Sequence, residues 1–237
     1  IGLSYKYGFI FDDEIIKKFK YRLFNIHSQV LPNFRGKGGL TWNIISNSKL
    51  IGSSLHFVSS KIDRGKIILV KKKIIKDFVK NYDFLEKQVK LMDVKLIKDF
   101  IYKINYKKKF QSIRLNYDES FYWPSINTKK NGWINFSWST DEICQFINSF
   151  SGKYLGAQTY LRNQIIRLKN AKKNNLKFKF HSFLAGLVFR IKGKYIFIAC
   201  RDGSFKCEYT LKKQSKIKLG SRLSTPSQKL ENSLIHV

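Results

Sequence analysis

Asn25-Ile26-His27-Ser28-Gln29-Val30-Leu31-Pro32-Asn33-Phe34-Arg35-Gly36 is the stretch on which the reading of this chain turns, and Ile62-Asp63-Arg64-Gly65 answers it further on. Tyr21 to Ile26 is apolar and aromatic enough for a strand, so the Asn25-x-His27 pair sits at its carboxyl end. In open α/β sheets that edge is where ligands bind. Upstream, residues 1 to 7 read as a strand and Tyr7-Gly8-Phe9-Ile10 as the loop beyond it. Asp12-Asp13-Glu14 then supplies acids suited to the positive end of a helix, with Ile15, Ile16 and Phe19 as its expected buried stripe. Strand, loop, helix and strand again is the order of an α/β fold.

Downstream, Leu40 to Ile45 reads as a short helix, and Ser53 to Val58 and Lys66 to Val70 as two strands. The connection between them carries Asp63 and Gly65, which leaves Asp63 on a turn, free to point back. Leu85, Val89, Met92, Leu96 and Phe100 recur at helical spacing and predict one long helix on the sheet, with Met92 as core filler. From about Asn105 to Asn131 the texture changes to Lys, Asn, Tyr and turn residues, a linker with one short strand at Gln111 to Leu115. Ser139 and Glu142 have capping-box spacing at the start of a helix whose apolar face is Ile143, Phe146, Ile147 and Phe150, with Trp133 and Trp138 as anchors. Beyond Gly156 come short alternating segments, Gln164 to Leu168, Gly186 to Ile191, Tyr195 to Ala199 and Phe205 to Leu211. They predict a small β module, read as a five-stranded barrel.

Composition narrows the classes. A chain of 237 residues with 43% hydrophobic content can build a real core. No run of about 18 apolar residues supports a membrane span. The 3 cysteines, Cys144, Cys200 and Cys207, form no C-x-x-C pair, so neither a disulfide framework nor a zinc site is indicated and a reducing cytoplasm fits best. The net charge of +30 would ordinarily suggest nucleic acid. Lysine is spread along the whole chain, however, with short clusters only at Lys71 to Lys73 and Lys107 to Lys109, which favours a solvated basic surface over a dedicated nucleic-acid face. The chain opens in what reads as a strand already under way, without an initiator Met, and an earlier N-terminal part is expected.

Taken as chemistry, Asn25 can donate a side-chain N–H to an oxygen that gains charge, and His27 can carry a proton near neutral pH. Asp63 can orient that imidazole and stabilise its charged form. No Ser or Cys stands in a nucleophile elbow, since Ser28 lacks the flanking glycines of G-x-S-x-G. The set therefore favours direct transfer of an acyl-type group to an amine over a covalent enzyme intermediate. By spacing alone, a histidine at a strand end such as His27 is more often a satisfied structural histidine.

The Asn25 to Gly36 stretch resembles the N-x-H-x-S-L-L-P-x-(Y/F)-(R/K)-G signature of the formyltransferase family. His56-Phe57-Val58-Ser59-Ser60-Lys61-Ile62-Asp63-Arg64-Gly65 resembles its D-x-G turn, and the 36 residues from His27 to Asp63 are close to the family spacing. Trp133 to Trp138, Tyr154-Leu155-Gly156-Ala157, His181-Ser182-Phe183, Asp202-Gly203 and Thr225-Pro226 are similar to the C-terminal module of longer members. The loop departs from the pattern at Ser28 and Gln29, where the family has Pro and Ser, and at Leu155, where it has Pro.

The resemblance implies an α/β fold: the C-terminal half of a Rossmann-like formyltransferase domain over residues 1–115, a linker over 116–132, and a small OB-like β-barrel domain over 133–237. It implies Asn25, His27 and Asp63 as the catalytic trio, with N10-formyltetrahydrofolate as formyl donor and no metal. The pterin pocket would be lined by Tyr7, Gly8, Phe9, Ile10, Ser59, Ser60, Lys61 and Ile62. Arg35, Gly36 and Lys37 would lie on the acceptor side. The expected acceptor is a primary amine on a nucleotide-linked amino sugar, with initiator methionyl-tRNA as the alternative, a homodimer compatible with either, and a non-catalytic RNA-binding relative as the competing class. A cytoplasmic enzyme is expected.

Overall fold

The computed structural model describes residues 1–75, 82–113, 120–176, 178–211 and 216–235. The chain forms two compact units, one built mainly from residues up to Ser125 and the other mainly from Ile126 onward.

The first unit is a sheet of 4 strands in the order β1 (Gly2–Tyr5), β2 (Leu23–His27), β4 (Leu50–Phe57) and β5 (Ile67–Ile74). β1 and β2 are parallel, joined through α1 (Asp13–Lys18), whereas β4 and β5 run antiparallel to their neighbours. Asp12 caps α1, its carboxylate accepting from the Ile15 N–H at 2.7 Å, which explains why acids cluster there. Of the expected stripe, only Ile16 is buried; Phe19 is exposed, because α1 ends at Lys18 and Phe19 is its C-cap.

A two-residue strand, β3 (Arg35–Gly36), precedes α2 (Gly39–Ile45). α3 (Tyr82–Asn105) is the long helix, with Leu85, Val89, Leu96 and Phe100 buried and Met92 half-buried. Leu96 and Phe100 join Phe24, Ile26, Leu55 and Ile68 in one core. Because strand side chains alternate between faces, burying Phe24 and Ile26 there sends Asn25 and His27 to the other side. The expected strand at Gln111 to Leu115 reduces to a single bridge, Ile113 to Ile67, and its last residues lie outside the described ones. Two elements stand where a linker was expected: β6 (Tyr122–Trp123), paired with β3, and the short α4 (Thr128–Asn131).

The second unit packs α5 (Thr140–Ser149) on a curled antiparallel sheet. Its strands are β7 (Ala157–Leu161), β8 (Gln164–Lys173), β9 (Val188–Lys192), β10 (Tyr195–Cys200), β11 (Gly203–Thr210) and β12 (Leu223–Ser224), followed by α6 (Ser227–Ser233). The sheet therefore has 6 strands, in the order β12-β7-β8-β11-β10-β9, instead of five. The missed strands have a physical reason. β7 is Ala-Gln-Thr-Tyr-Leu, whose Gln158 and Thr159 are buried against the Thr128 and Ser224 carbonyls, and β12 is two residues long. The curl brings Leu187 into a bridge with Arg222.

The α5 capping box forms as read: the Ser139 side chain accepts from the Glu142 N–H, and Glu142 accepts from the Ser139 N–H at 2.8 Å. The Ser139 hydroxyl, which donates to the Glu142 carboxylate at 2.7 Å, and then that backbone N–H hold the Glu142 carboxyl below its ordinary range. Ile143, Ile147 and Phe150 enter the core with Ile166, Leu168, Ile196, Ile198 and Phe205. Alternating with the buried Ile196 and Ile198, Tyr195 and Phe197 turn outward. There they align in register with Lys192 and Arg190 on β9 and with Glu208 and Lys206 on β11. The Arg190 guanidinium lies 5.2 Å from the Phe197 ring, and Lys194 and Lys206 lie 5.4 and 5.7 Å from that of Tyr195.

Candidate active site

Asn25 and His27 share one face of β2, two residues apart. The antiparallel pairing of β2 with β4 sets His56 directly opposite Asn25 and Ser54 opposite His27, so all four side chains occupy the same side of the sheet. The loop after β2 is tied down by serines of β4. The Ser54 hydroxyl donates to the Gln29 carbonyl at 2.8 Å and accepts from the Leu31 N–H at 2.9 Å, and Ser53 donates to the His27 carbonyl at 3.2 Å. Ser28 donates to Asp93 at 3.0 Å, and so does the Tyr5 hydroxyl at 2.9 Å. Burial and the Asp93 carboxylate raise the pKa of that phenol.

Asp63 arrives from the β4–β5 turn with φ of 50°, a left-handed conformation that Asp tolerates better than most residues. Gly65 lets the turn close. A Cβ placed there would stand 1.6 Å from the Phe57 carbonyl oxygen and 3.3 Å from His56 Nδ1, so only a glycine admits this approach. The Asp63 carboxylate then points back, as its turn position suggested. Its Oδ2 accepts the Gly36 N–H at 2.8 Å, while Oδ1 stands 3.7 Å from His27 Nδ1 and 3.6 Å from His56 Nε2.

The hydrogen bonds assign the ring protons. His27 Nε2 lies 2.7 Å from the Phe34 carbonyl, which can only accept, so Nε2 carries hydrogen; whenever the ring is neutral, the bare nitrogen is Nδ1, which faces Asp63. His56 Nδ1 lies 2.8 Å from the Phe57 carbonyl by the same logic, which leaves its Nε2 to accept from Asn25 Nδ2 at 3.1 Å. Burial, then the His27 charge, lowers the His56 pKa to about 4 against the opposing pull of Asp63. His56 is thus neutral near pH 7.

Asn25, His27 and Asp63 are therefore brought together, and His56 is a fourth member that the sequence reading passed over. Its signal was a histidine between Leu55 and Phe57, in a strand whose apolar residues face the other way. Only the register with β2 turns that into a meeting with Asn25.

The other expected residues fall around this group. Arg35 is buried, and its Nε has no partner among the described residues; the same holds for both amide atoms of Gln29. Gly36 gives its N–H to Asp63, and Lys37 reaches across to donate to the Gly8 carbonyl at 2.7 Å. Tyr7, Phe9 and Ile10 are exposed, with Tyr7 stacked on Phe11 at 4.7 Å. Ser59 donates to the Lys61 carbonyl at 3.0 Å, and Ser60, Lys61 and Ile62 are exposed. Beside the Phe34 end of the loop stands an aromatic wall: Trp123 stacks on Phe34 at 5.5 Å, meets Trp42 at 5.2 Å and donates its indole N–H to the Asn33 carbonyl at 3.0 Å. Among the described residues no group of three or more His, Cys, Asp or Glu is arranged to hold a metal ion, and no helix is long and apolar enough to cross a membrane.

Residues 3–100 match the Formyl transferase family, and residues 127–222 match its Formyl transferase, C-terminal domain. The chain belongs to the formyltransferase family. Among curated formyltransferases it is similar to a methionyl-tRNA formyltransferase of Finegoldia magna, 28% identical over 200 residues covering 83% of this chain and 61% of that protein. The chain thus spans 61% of the length of this relative. Two solved formyltransferase structures share the fold. The sugar 3N-formyl transferase WlaRD, in the presence of dTDP and 5-N-formyl-THF, aligns with a TM-score of 0.65 and 24% identity, covering 89% of this chain and 72% of that one. The N-formyltransferase from Helicobacter canadensis, in complex with folinic acid and dTDP-3-aminofucose, aligns with a TM-score of 0.62 and 24% identity, covering 81% of this chain and 68% of that one.

Proposed function

We propose that this protein transfers a formyl group from N10-formyltetrahydrofolate to a primary amine, with Asn25, His27 and Asp63 at the reacting centre. The observation that carries the proposal is a basic His27 Nδ1 facing the Asp63 carboxylate at 3.7 Å, on the same strand face as the Asn25 amide. The reduced folate supplies the formyl carbon on N10 and leaves as the free secondary amine. Asn25 donates an N–H to the formyl oxygen as it gains negative charge. His27 takes the proton that the incoming amine loses as its nitrogen bonds to the formyl carbon, and gives it to N10 as the old carbon–nitrogen bond breaks. Asp63 stabilises the imidazolium between those two events. Removing one donor to such an oxygen typically lowers turnover by about a hundredfold or more.

The exposed apolar side chains of Tyr7, Phe9, Ile10 and Ile62 support a seat for a flat pterin, with Gly8, Ser59, Ser60 and Lys61 supplying backbone and polar edges. For the acceptor we infer an amino sugar carried on a nucleotide. The half-buried Trp123 ring, backed by buried Phe34 and standing beside Arg35 to Lys37, suits a nucleobase, and the two solved sugar N-formyltransferases above were captured with dTDP or a dTDP-linked sugar. A second reading, initiator methionyl-tRNA, is favoured by the outer face of the C-terminal sheet, where Arg190, Lys194 and Lys206 lie over Phe197 and Tyr195. The test supplies N10-formyltetrahydrofolate with a panel of amino-sugar nucleotides and charged initiator tRNA. Formylation of a sugar nucleotide supports the first reading and of the tRNA the second; turnover by His27→Ala at the rate of the unsubstituted protein would overturn both.

A further inference from the structure

We propose that His56 is a positioning residue of this site: its bare Nε2 accepts one N–H of the Asn25 side-chain amide, which fixes the amide nitrogen toward the reacting centre and leaves its second N–H for substrate oxygen. The proposal rests on the formyl-transfer reading for its consequence, and on geometry for its content.

An asparagine amide has two flip states, and in isolation they differ little. Here the neighbour decides between them. Nδ1 of His56 must donate to the Phe57 carbonyl 2.8 Å away, because that oxygen has no hydrogen to give. In the neutral ring Nε2 is then an acceptor, and at 3.1 Å it selects the amide nitrogen of Asn25; the flipped amide would oppose two lone pairs. The acceptor is out of solvent, since His56 is 3% exposed, whereas Asn25 is half-buried, with its amide reaching toward the open side of the site. Among the described residues no group takes the second N–H of Asn25. A donor with one hydrogen anchored and one spare is the arrangement that oxyanion stabilisation asks of a side-chain amide.

The backbone fixes the histidine in turn. Cross-strand pairing puts His56 opposite Asn25, and Phe57, whose carbonyl holds Nδ1, also accepts the close approach of Gly65. The turn that delivers Asp63 to His27 therefore also locks the ring that orients Asn25. Burial, and repulsion from His27 whenever that imidazole is protonated, lower the His56 pKa to about 4, which preserves the acceptor at neutral pH. A protonated His56 would offer Nε2–H, select the opposite amide flip and turn the Asn25 oxygen toward the place where negative charge develops.

The experiment compares the unsubstituted protein with His56→Leu and His56→Gln in formyl transfer, and reads the ring and amide nitrogens by ¹⁵N NMR. His56→Leu removes the acceptor and is expected to lower kcat about 30-fold or more, with KM for folate and amine within about threefold. His56→Gln restores an acceptor oxygen and is expected to recover most of that loss. In the unsubstituted protein, His56 is expected to show protonated Nδ1 and bare Nε2, and the two Asn25 amide protons to be widely split, one bonded and one not; in His56→Leu that splitting collapses. A His56→Leu protein of normal kcat, a His56→Gln protein as impaired as His56→Leu, or an Nε2–H tautomer would overturn the proposal. If His56→Leu fails to fold, the ring nitrogens of the unsubstituted protein and the His56→Gln kinetics decide. If the unsubstituted protein formylates nothing, the formyl-transfer reading falls, and the nitrogen spectra alone judge whether His56 holds Asn25.

Discussion

Replacing Asp63 by asparagine separates charge from shape. The carboxylate holds two relations at once: Oδ2 accepts the Gly36 N–H at 2.8 Å, and Oδ1 lies 3.7 Å from the basic Nδ1 of His27. An amide oxygen can keep the first, so the β3 end and the turn should stay in place. The second is lost twice over, because the negative charge disappears and the amide nitrogen can occupy the Nδ1 lone pair. A unit charge at 3.7 Å from the imidazolium is worth about 4 kcal/mol at an effective dielectric of about 20. Both side chains are mostly buried, at 13% exposure each, so screening by solvent is modest and desolvation offsets part of that sum. A residue of about 2–3 kcal/mol corresponds to a fall in kcat of roughly 30- to 150-fold. Asp63→Asn should change folding stability by less than about 1 kcal/mol. The assay pairs steady-state formyl transfer at saturating folate and amine with denaturant unfolding of the same preparation. Turnover within threefold of normal, or a loss of activity matched by an equal loss of stability, would refute the charge-stabilising role.

Other perturbations reach the scaffold. Gly65→Ala forces a methyl to within 1.6 Å of the Phe57 carbonyl, a backbone atom that cannot step aside, and should cost about 1–3 kcal/mol, read as a lower denaturant midpoint; an unchanged midpoint would mean the turn is looser than described. Ser139→Ala breaks the α5 capping box and should cost about 1 kcal/mol in the second unit, with loss below about 0.3 kcal/mol counting against the cap. His56 gives a pH signature. Its folded pKa, about 4, lies below the ordinary 6.5, so the unfolded chain binds more protons between those values. Its contribution is whole above pH 6.5 and is lost as pH falls through that window, by about 3 kcal/mol at pH 4. His56→Gln should flatten that part of the stability curve, and an unaltered slope would deny the burial of a neutral ring.

Much of this is legible in the sequence. The strand ending at His27, the capped α5, the helix carrying Leu85 to Phe100 and the turn bearing Asp63 all rest on local patterns, alternation and helical spacing, that survive in a single sequence. What stayed hidden depends on pairing across distance. β3 and β6 are two residues each and become strands only by meeting, and β7 hides behind buried Gln158 and Thr159 whose partners are far along the chain. Phe19 was misread because one apolar residue past the helix end looks like its next stripe position. His56 was missed for the same reason as β3: nothing local tells which residue of β2 it faces. The candidate site was half visible, His27 and Asp63 by motif and His56 only by register.

The most direct measurement is transfer of an isotopically labelled formyl group from N10-formyltetrahydrofolate to amine acceptors, run side by side with the unsubstituted protein and with His27→Ala. The expected result is label on an amine, with tetrahydrofolate released in equal amount, and loss of both in His27→Ala. Equal transfer by the two proteins would contradict the placement of the proton carrier at His27, and no transfer by the unsubstituted protein to any amine offered would contradict formyl transfer itself.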